Sequence, residues 1–275
     1  MYRRYSVLFL VFVMVIPFAW TQQLDHATAL SIDRSRDGSD EHSTVITIRN
    51  AWPGAEPLQY ALVERGAPAP VGDEFEAIIE VPVRRIVSLS STAIPHIVDL
   101  GMTDRLVGVD IGDYIYNAEV HDRVTAGTIA EVGSGDSLDV EQIIAVQPDA
   151  VVTSVMGNDD PTWRRLTAAG VPVVVLADWR ENAPLGRAEW IRLFGVLFQR
   201  DEMALRLFGE RSKQYAVVAA RTDRLSVDKR PSVLLNAPWQ GTWPVPAGES
   251  YVARLFADAG ADYLWADRPG TGSIF

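Results

Sequence analysis

Aromatic side chains collect where apolar runs end. Tyr114 and Tyr116 follow the run RLVGVD, Trp179 follows VPVVVLAD, and Trp239 and Trp243 follow SVLLN. Tyr and Trp offer large, rigid contact area with a polar tip. On loops they suit a large planar or apolar-faced ligand. Polar groups able to hydrogen-bond such a ligand stand near them: Ser91, Thr92, Asn158 and Arg180. A different chemistry would come from Ser88, Ser90 and Ser91, with His96 close by. A hydrolase needs a nucleophile, a base and an orienting acid. No G-x-S-x-G elbow surrounds these serines. They read as a hydrogen-bonding turn, and a serine-dependent hydrolase is the lesser alternative. His26, His42, His96 and His121 are scattered, so no set of ligands for a bare metal ion is predicted. There is no Walker loop and no G-x-G-x-x-G, and Gly133-Ser134-Gly135 reads as a loop.

The elements that must position these residues follow from periodicity and punctuation. From Arg85, strand-like runs alternate with helix-like ones: IVSLS, then STAIPHIVDLG closed by Gly101, then RLVGVD and VTAGTI. DVEQIIAVQ follows as a helix with Asp139 at its N-cap, then the strand DAVVTS. PTWRRLTAAG starts at Pro161 and stops at Gly170, and VPVVVLADW is a strand rich in β-branched residues. Strand–helix alternation means a parallel α/β lobe. In such sheets ligands bind beyond the carboxyl ends of the strands. Those ends carry Ser91, Thr92, Tyr114, Tyr116, Asn158, Trp179 and Arg180.

Before this lobe, residues 22–43 are polar and aperiodic. Three strand candidates follow, Thr44–Arg49, Leu58–Glu64 and Phe75–Val83, separated by Pro/Gly segments. They predict a small antiparallel appendage. After the lobe, residues 184–221 read as one long helix. Trp190, Phe194, Leu197, Leu205, Phe208, Tyr215 and Val218 recur mostly at three- and four-residue steps. Beyond Pro231, SVLLN is a strand and SYVARLFADAG a helix. One strand and one helix cannot bury a core of their own, so the last unit reads as cut short.

The domain boundaries are therefore 1–21 for an export signal, 22–82 for the polar leader and β appendage, and 83–183 for an N-terminal α/β lobe. The interdomain helix takes 184–221 and a partial C-terminal α/β lobe 222–275. MYRRY is a positive n-region and SVLFLVFVMVIPF a short apolar h-region, with Ala19 and Thr21 near the expected cleavage. The chain has no cysteine, which rules out disulfides, thiolate metal sites and a lipid-bearing cysteine. A net charge of −11 argues against nucleic acid or an anionic membrane surface as partner.

Four stretches carry a family resemblance: RRIVSLSSTAIPHIVDLGMTDRLVGVD, VGSGDSLDVEQIIAVQPDAVVTS, AGVPVVVLADWRENAPLGRAEWIRLFGVLF and GTWPVPAGESYVARLFADAGADYLW. From about Val83 to Phe275 the chain resembles the periplasmic solute-binding proteins of ABC importers for iron-siderophores, haem and cobalamin. The resemblance implies an α/β fold of two Rossmann-like lobes bridged by a single long α-helix, here with the second lobe cut short. It implies an exported, periplasmic, monomeric binding protein without enzymatic activity or a cofactor of its own. Its ligand would be an iron chelate (siderophore or haem), with cobalamin or another corrinoid as the alternative. A module needing no small ligand is a further reading. The partners implied are an ABC permease and its ATPase. In that family each lobe offers a glutamate that docks onto the permease. Glu249, in AGESYV, matches the second-lobe position, whereas the first-lobe position holds Ile94-Pro95, with His96 and Asp99 as partial substitutes. The implied ligand walls are Tyr114, Tyr116, Trp179, Trp239 and Trp243, with hydrogen bonds from Ser91, Thr92, Asn158 and Arg180.

Overall fold

The computed structural model describes residues 20–22, 24–34, 43–70, 74–222 and 224–274. The predicted export signal lies outside these residues, apart from Trp20 and Thr21. Strands β1 (Trp20–Gln22), β2 (Leu30–Arg34), β3 (Ser43–Ile48), β4 (Leu58–Glu64) and β5 (Ala77–Val81) form one sheet in chain order. β1 to β4 are antiparallel neighbours, and β5 runs parallel to β4.

The predicted three-stranded antiparallel appendage is therefore larger and mixed. The polar leader hides β2, where Leu30 and Ile32 are buried while Ser31 and Asp33 are not. That period-two signal is only a few residues long among polar neighbours. Nor is the sheet detached. Ile32, Ile46, Ile48, Tyr60, Leu62 and Ile79 share one continuous core with the α/β lobe. The Tyr60 hydroxyl accepts the Val175 N–H at 3.2 Å across that boundary.

The lobe itself contains β6 (Ile86–Leu89), α1 (Ile94–Asp99), β7 (Leu106–Val109), α2 (Ala118–Thr125), β8 (Ala130–Glu131), α3 (Val140–Ala145), β9 (Ala150–Thr153), α4 (Pro161–Ala168) and β10 (Val173–Val175). The strands pair in parallel in the order β10-β9-β6-β7-β8. Caps fix the helix starts: Asp139 accepts the Gln142 N–H at 2.8 Å, and Asp160 accepts the Trp163 N–H at 3.1 Å ahead of Pro161. Gly101 and Gly170 close α1 and α4 with φ of +68° and +73°, a region that costs other residues strain. The run VTAGTI is not a strand. Its start belongs to α2, which Asn117 caps by accepting the Val120 N–H at 3.0 Å, and the strand begins only at Ala130.

The single helix expected over 184–221 is three: α5 (Pro184–Glu189), α6 (Ile191–Phe198) and α7 (Asp201–Thr222). Gln199 adopts φ +53°, ψ 45°, which ends α6 and reverses the chain. Gly195 explains why the next helix folds back so closely. A Cβ placed there would lie 2.7 Å from the Ala204 Cβ. α6 is buried on every side, so its apolar residues mark a core helix rather than an extension of one stripe. α7 is the long helix that leads out of the lobe. Only Ala204 and Phe208 of α7 are buried; Leu205, Val217 and Val218 are exposed. Its start is tied to the first sheet by the Arg34–Asp201 ion pair, and its middle to α1 by the Arg211–Asp99 pair.

After α7 come β11 (Ser232–Val233), β12 (Val245–Pro246), α8 (Tyr251–Asp258), β13 (Asp262–Tyr263) and β14 (Ser273–Ile274). β11 and β13 pair in parallel around α8, a βαβ unit where one strand and one helix were expected. β13 has two residues and gives almost no pattern in the sequence. β12 pairs with β14 antiparallel. Tyr215 of α7 donates to the Asp258 carboxylate at 2.7 Å, which fastens this unit to the long helix.

Candidate functional site

The parallel sheet reverses its winding between β6 and β9. From β6 the chain adds β7 and β8 on one side, then returns to add β9 and β10 on the other. At such a point the two loops diverge and leave a crevice at the carboxyl ends. Ser91 and Thr92 follow β6 and Asn158 follows β9. All three are exposed. Tyr114 and Tyr116 follow β7 and project into solvent at 59% and 95% exposure, and Met156 after β9 does so at 67%. No core requirement explains these apolar groups.

The serines form a turn. Ser88 Oγ donates to Ser90 O at 2.8 Å, and Ser90 Oγ pairs with Thr92 Oγ1 at 3.0 Å. His96 lies instead against Phe194, with ring centroids 5.4 Å apart, and its Nδ1 has no partner. Burial, then the nearby Arg211, push its pKa down to about 4. His96 and Asp99 were expected to substitute partly for a docking glutamate. The one is buried and the other is held by Arg211, which leaves Pro95 as the exposed residue of that helix start. Among the described residues no three His, Asp or Glu converge as metal ligands.

Trp179 and Arg180 sit in a single 3₁₀ turn after β10. Arg180 stacks over the Trp179 ring at 5.1 Å and donates from Nε to Asn50 O at 3.1 Å. Beside them Asp178 is buried. Burial raises its pKa, opposed first by a hydrogen bond from Thr92, and its Oδ1 has no partner. Trp179 lines a cavity of about 190 Å³ with Asn182, Arg187, Pro246, Ser250 and Tyr251. That cavity joins the lobe to the unit after α7. The same cavity does not include Trp243 or Trp239. Trp243 donates to Leu235 O at 3.2 Å and packs edge-on against Trp265 at 5.2 Å, inside an aromatic group that includes Tyr263. Trp239 is 72% exposed on the preceding turn. The structure thus groups Trp179 with Tyr251 and Arg187, which the sequence left unremarked, rather than with Trp243. The signal for Arg187 was its place four residues after Ala183, at the start of a helix that the predicted long helix absorbed.

Glu249 is exposed in the turn before α8, and its backbone and carboxylate both bond Gly270. It lines a second cavity, about 390 Å³, with His26, Thr28, Glu181, Asn182 and Arg254. His26 and Thr28 come from the supposed leader, and two buried glutamates hold that segment. Glu189 accepts N–H groups of Asp25, His26 and Ala27 at 3.0, 2.7 and 2.8 Å. Glu181 accepts those of Thr28 and Ala29 at 2.9 Å each, and Trp190 Nε1 at 3.3 Å. Gly186 permits the approach, because a Cβ there would sit 3.0 Å from His26 O.

A sequence profile described as periplasmic binding protein matches residues 86–274, which is most of the chain. The chain belongs to the periplasmic binding protein family. A solved periplasmic binding protein from Veillonella parvula superposes with a TM-score of 0.57 at 19% identity, covering 85% of this chain and 68% of that one. An uncharacterized lipoprotein of Methanocaldococcus jannaschii is 27% identical over 74% of this chain and 50% of its own length. A vitamin B12-binding protein of Vibrio parahaemolyticus is 31% identical over 34% of this chain and 31% of its own. The chain thus spans half or less of the length of the curated relatives it matches. The matched region of this periplasmic binding protein begins at β6, so the whole first sheet lies ahead of it.

Proposed function

We propose that this chain is the extracytoplasmic substrate-binding component of an ABC importer, and that it captures an iron chelate, a siderophore or haem. The observation that supports this reading is the reversal of the parallel sheet between β6 and β9, the place where open α/β sheets bind ligands. Ser91, Thr92 and Asn158 are exposed there, and Tyr114, Tyr116 and Met156 present apolar surface from the same ends of the strands. Exposed apolar groups gathered at one end of a sheet are a common mark of a binding surface. Tyrosine rings and a thioether suit the ring faces of a chelate, and Trp179 and Arg180 extend the wall from β10. Glu249, exposed before α8, would dock on a basic patch of the permease, which works with its ATPase. The domain assignment that supports this is a binding lobe over 83–183, α7 as the bridge, and a second α/β unit beyond it.

A second reading, capture of a corrinoid, is favoured by the vitamin B12-binding relative. Titration separates the two. Haemin, a ferric siderophore and cyanocobalamin all absorb where tryptophan emits, so binding should quench the emission of the chain's eight tryptophans. Saturable quenching by an iron chelate at micromolar concentration or below supports the first reading, and by cyanocobalamin alone the second. Absence of binding to every chelate would sink both.

A further inference from the structure

Helix α5 has six residues, starts at Pro184, and buries two of them, Gly186 and Glu189. Both meet the segment 24–29 that runs ahead of β2. A Cβ on Gly186 would lie 3.0 Å from His26 O, and the Glu189 carboxylate accepts the N–H groups of Asp25, His26 and Ala27. Just before α5, buried Glu181 accepts the N–H groups of Thr28 and Ala29 and the Thr28 hydroxyl, each at 2.9 Å. Five consecutive backbone donors, from Asp25 to Ala29, thus end on two carboxylates. Buried backbone donors outside a strand or helix need such partners. The His26 ring also packs edge-on against Phe208 of α7, with centroids 5.8 Å apart. The segment is a strap across α5 and the buried part of α7.

The same helix meets the unit after α7. Arg187 donates from Nε to Glu181 O and from Nη2 to Trp179 O, both at 3.1 Å, which fixes it on the lobe. Its guanidinium lies 3.7 Å over the ring of Tyr251, the first residue of α8. The other end of α8 has its own attachment. Tyr215 donates to the Asp258 carboxylate and Thr222 to Asp258 O, both at 2.7 Å. The Asp258 attachment is made by α7. The Tyr251 attachment depends on where α5 sits, and the buried face of α5 sits on the strap. A stacked cation contributes about 0.5–2 kcal/mol and only while it stays over the ring. Across the 390 Å³ cavity the strap also faces the unit, with His26 and Thr28 on one wall and Gly248, Glu249 and Arg254 on the other.

We propose that the strap is a hinge lock. Gripped by Glu181 and Glu189, it holds α5 where Arg187 latches the last unit at Tyr251. Release of the strap frees α5, breaks the latch and lets the unit pivot about its Asp258 attachment to α7. The strap lies ahead of the family-matched region, which begins at residue 86, so this device is carried by the chain's own N-terminal part.

The test reads the distance between lobe and unit in the full chain, without a ligand. The chain has no cysteine, so Glu141→Cys on α3 and Asp267→Cys after β13, both exposed, accept a pair of spin labels specifically. Double electron–electron resonance then gives the distance distribution of folded molecules. The lock predicts one narrow distribution in this labelled parent. In Glu189→Ala the distribution should broaden, while exchange of the Ala27 amide rises by about tenfold or more. Gly195→Ala is the control. It disturbs the α6–α7 contact without touching the strap and should leave the distribution narrow. If Glu189→Ala does not fold, Tyr251→Ala removes the other half of the latch and should broaden the distribution with the strap amides still protected. An unchanged distribution in either variant, or equal broadening in Gly195→Ala, would overturn the lock.

Discussion

Removing the Glu189 carboxylate should release the N-terminal segment from the lobe. Three backbone N–H groups end on that carboxylate, at 2.7 to 3.0 Å, and the side chain is 1% exposed. Hydrogen bonds to a charged group contribute roughly 1.5–3 kcal/mol each, and a buried donor left bare costs about 1–3 kcal/mol. The three do not count equally. Asp25 is exposed and His26 half-buried, so their N–H groups can turn to water, whereas Ala27 is buried. Glu189→Ala should therefore cost about 3–5 kcal/mol, near the figure for breaking a buried ionic contact. Glu189→Gln keeps one oxygen for His26 and Ala27 and loses mainly the Asp25 bond, at about 1–2 kcal/mol. Urea unfolding gives the global cost, and amide hydrogen exchange gives the local one. Exchange at residues 25–27 should accelerate strongly in Glu189→Ala while amides of β9 and β10 change only with global stability. Unchanged protection at 25–27 would refute the idea that this carboxylate fastens the segment.

Two further perturbations test the packing. His96 is held neutral, with a pKa near 4 against 6.5 for a free imidazole. As pH falls, the unfolded chain takes up this proton first, so the stability it provides is complete above pH 6.5 and is lost between 6.5 and 4. The loss is on the order of 3 kcal/mol, and His96→Phe, stacked likewise on Phe194, should flatten that part of the pH profile. An equally steep profile in the variant would place the acid sensitivity elsewhere. Gly195→Ala pushes a methyl group against Ala204, and the overpacking should cost about 1–3 kcal/mol, read as a lowered thermal midpoint. Gly209, with open space around it, should accept alanine with no loss.

Much of the lobe was legible because each strand and helix announces both its pattern and its ends. Val173–Val175 is β-branched, Asp139 and Asp160 cap, and Gly101 and Gly170 stop. The long helix was misread because an apolar period continues across Gln199. The left-handed turn there is made by an ordinary residue, and its cause is the close Gly195–Ala204 contact, which is tertiary. The leader was misread for a related reason. Its backbone donors are satisfied by Glu181 and Glu189, more than a hundred and fifty residues away in sequence, and local polarity carries no sign of such partners. In the candidate site, positions at strand ends were readable from alternation alone. Which side chains meet was not: Trp243 turned to Trp265, while Arg187 and Tyr251 came together from separate units.

The central claim is that ligand sits in the crevice at the carboxyl ends of β6 and β9. The most direct measurement is a crystal structure of the chain soaked or grown with the chelate that binds best in the titration. The account predicts one chelate in contact with Ser91, Thr92 and Asn158, with Tyr114 or Tyr116 turned onto its face and Trp179 within reach. A chelate found at full occupancy elsewhere, such as on the exposed side of α7 around Val217 and Val218, would contradict it.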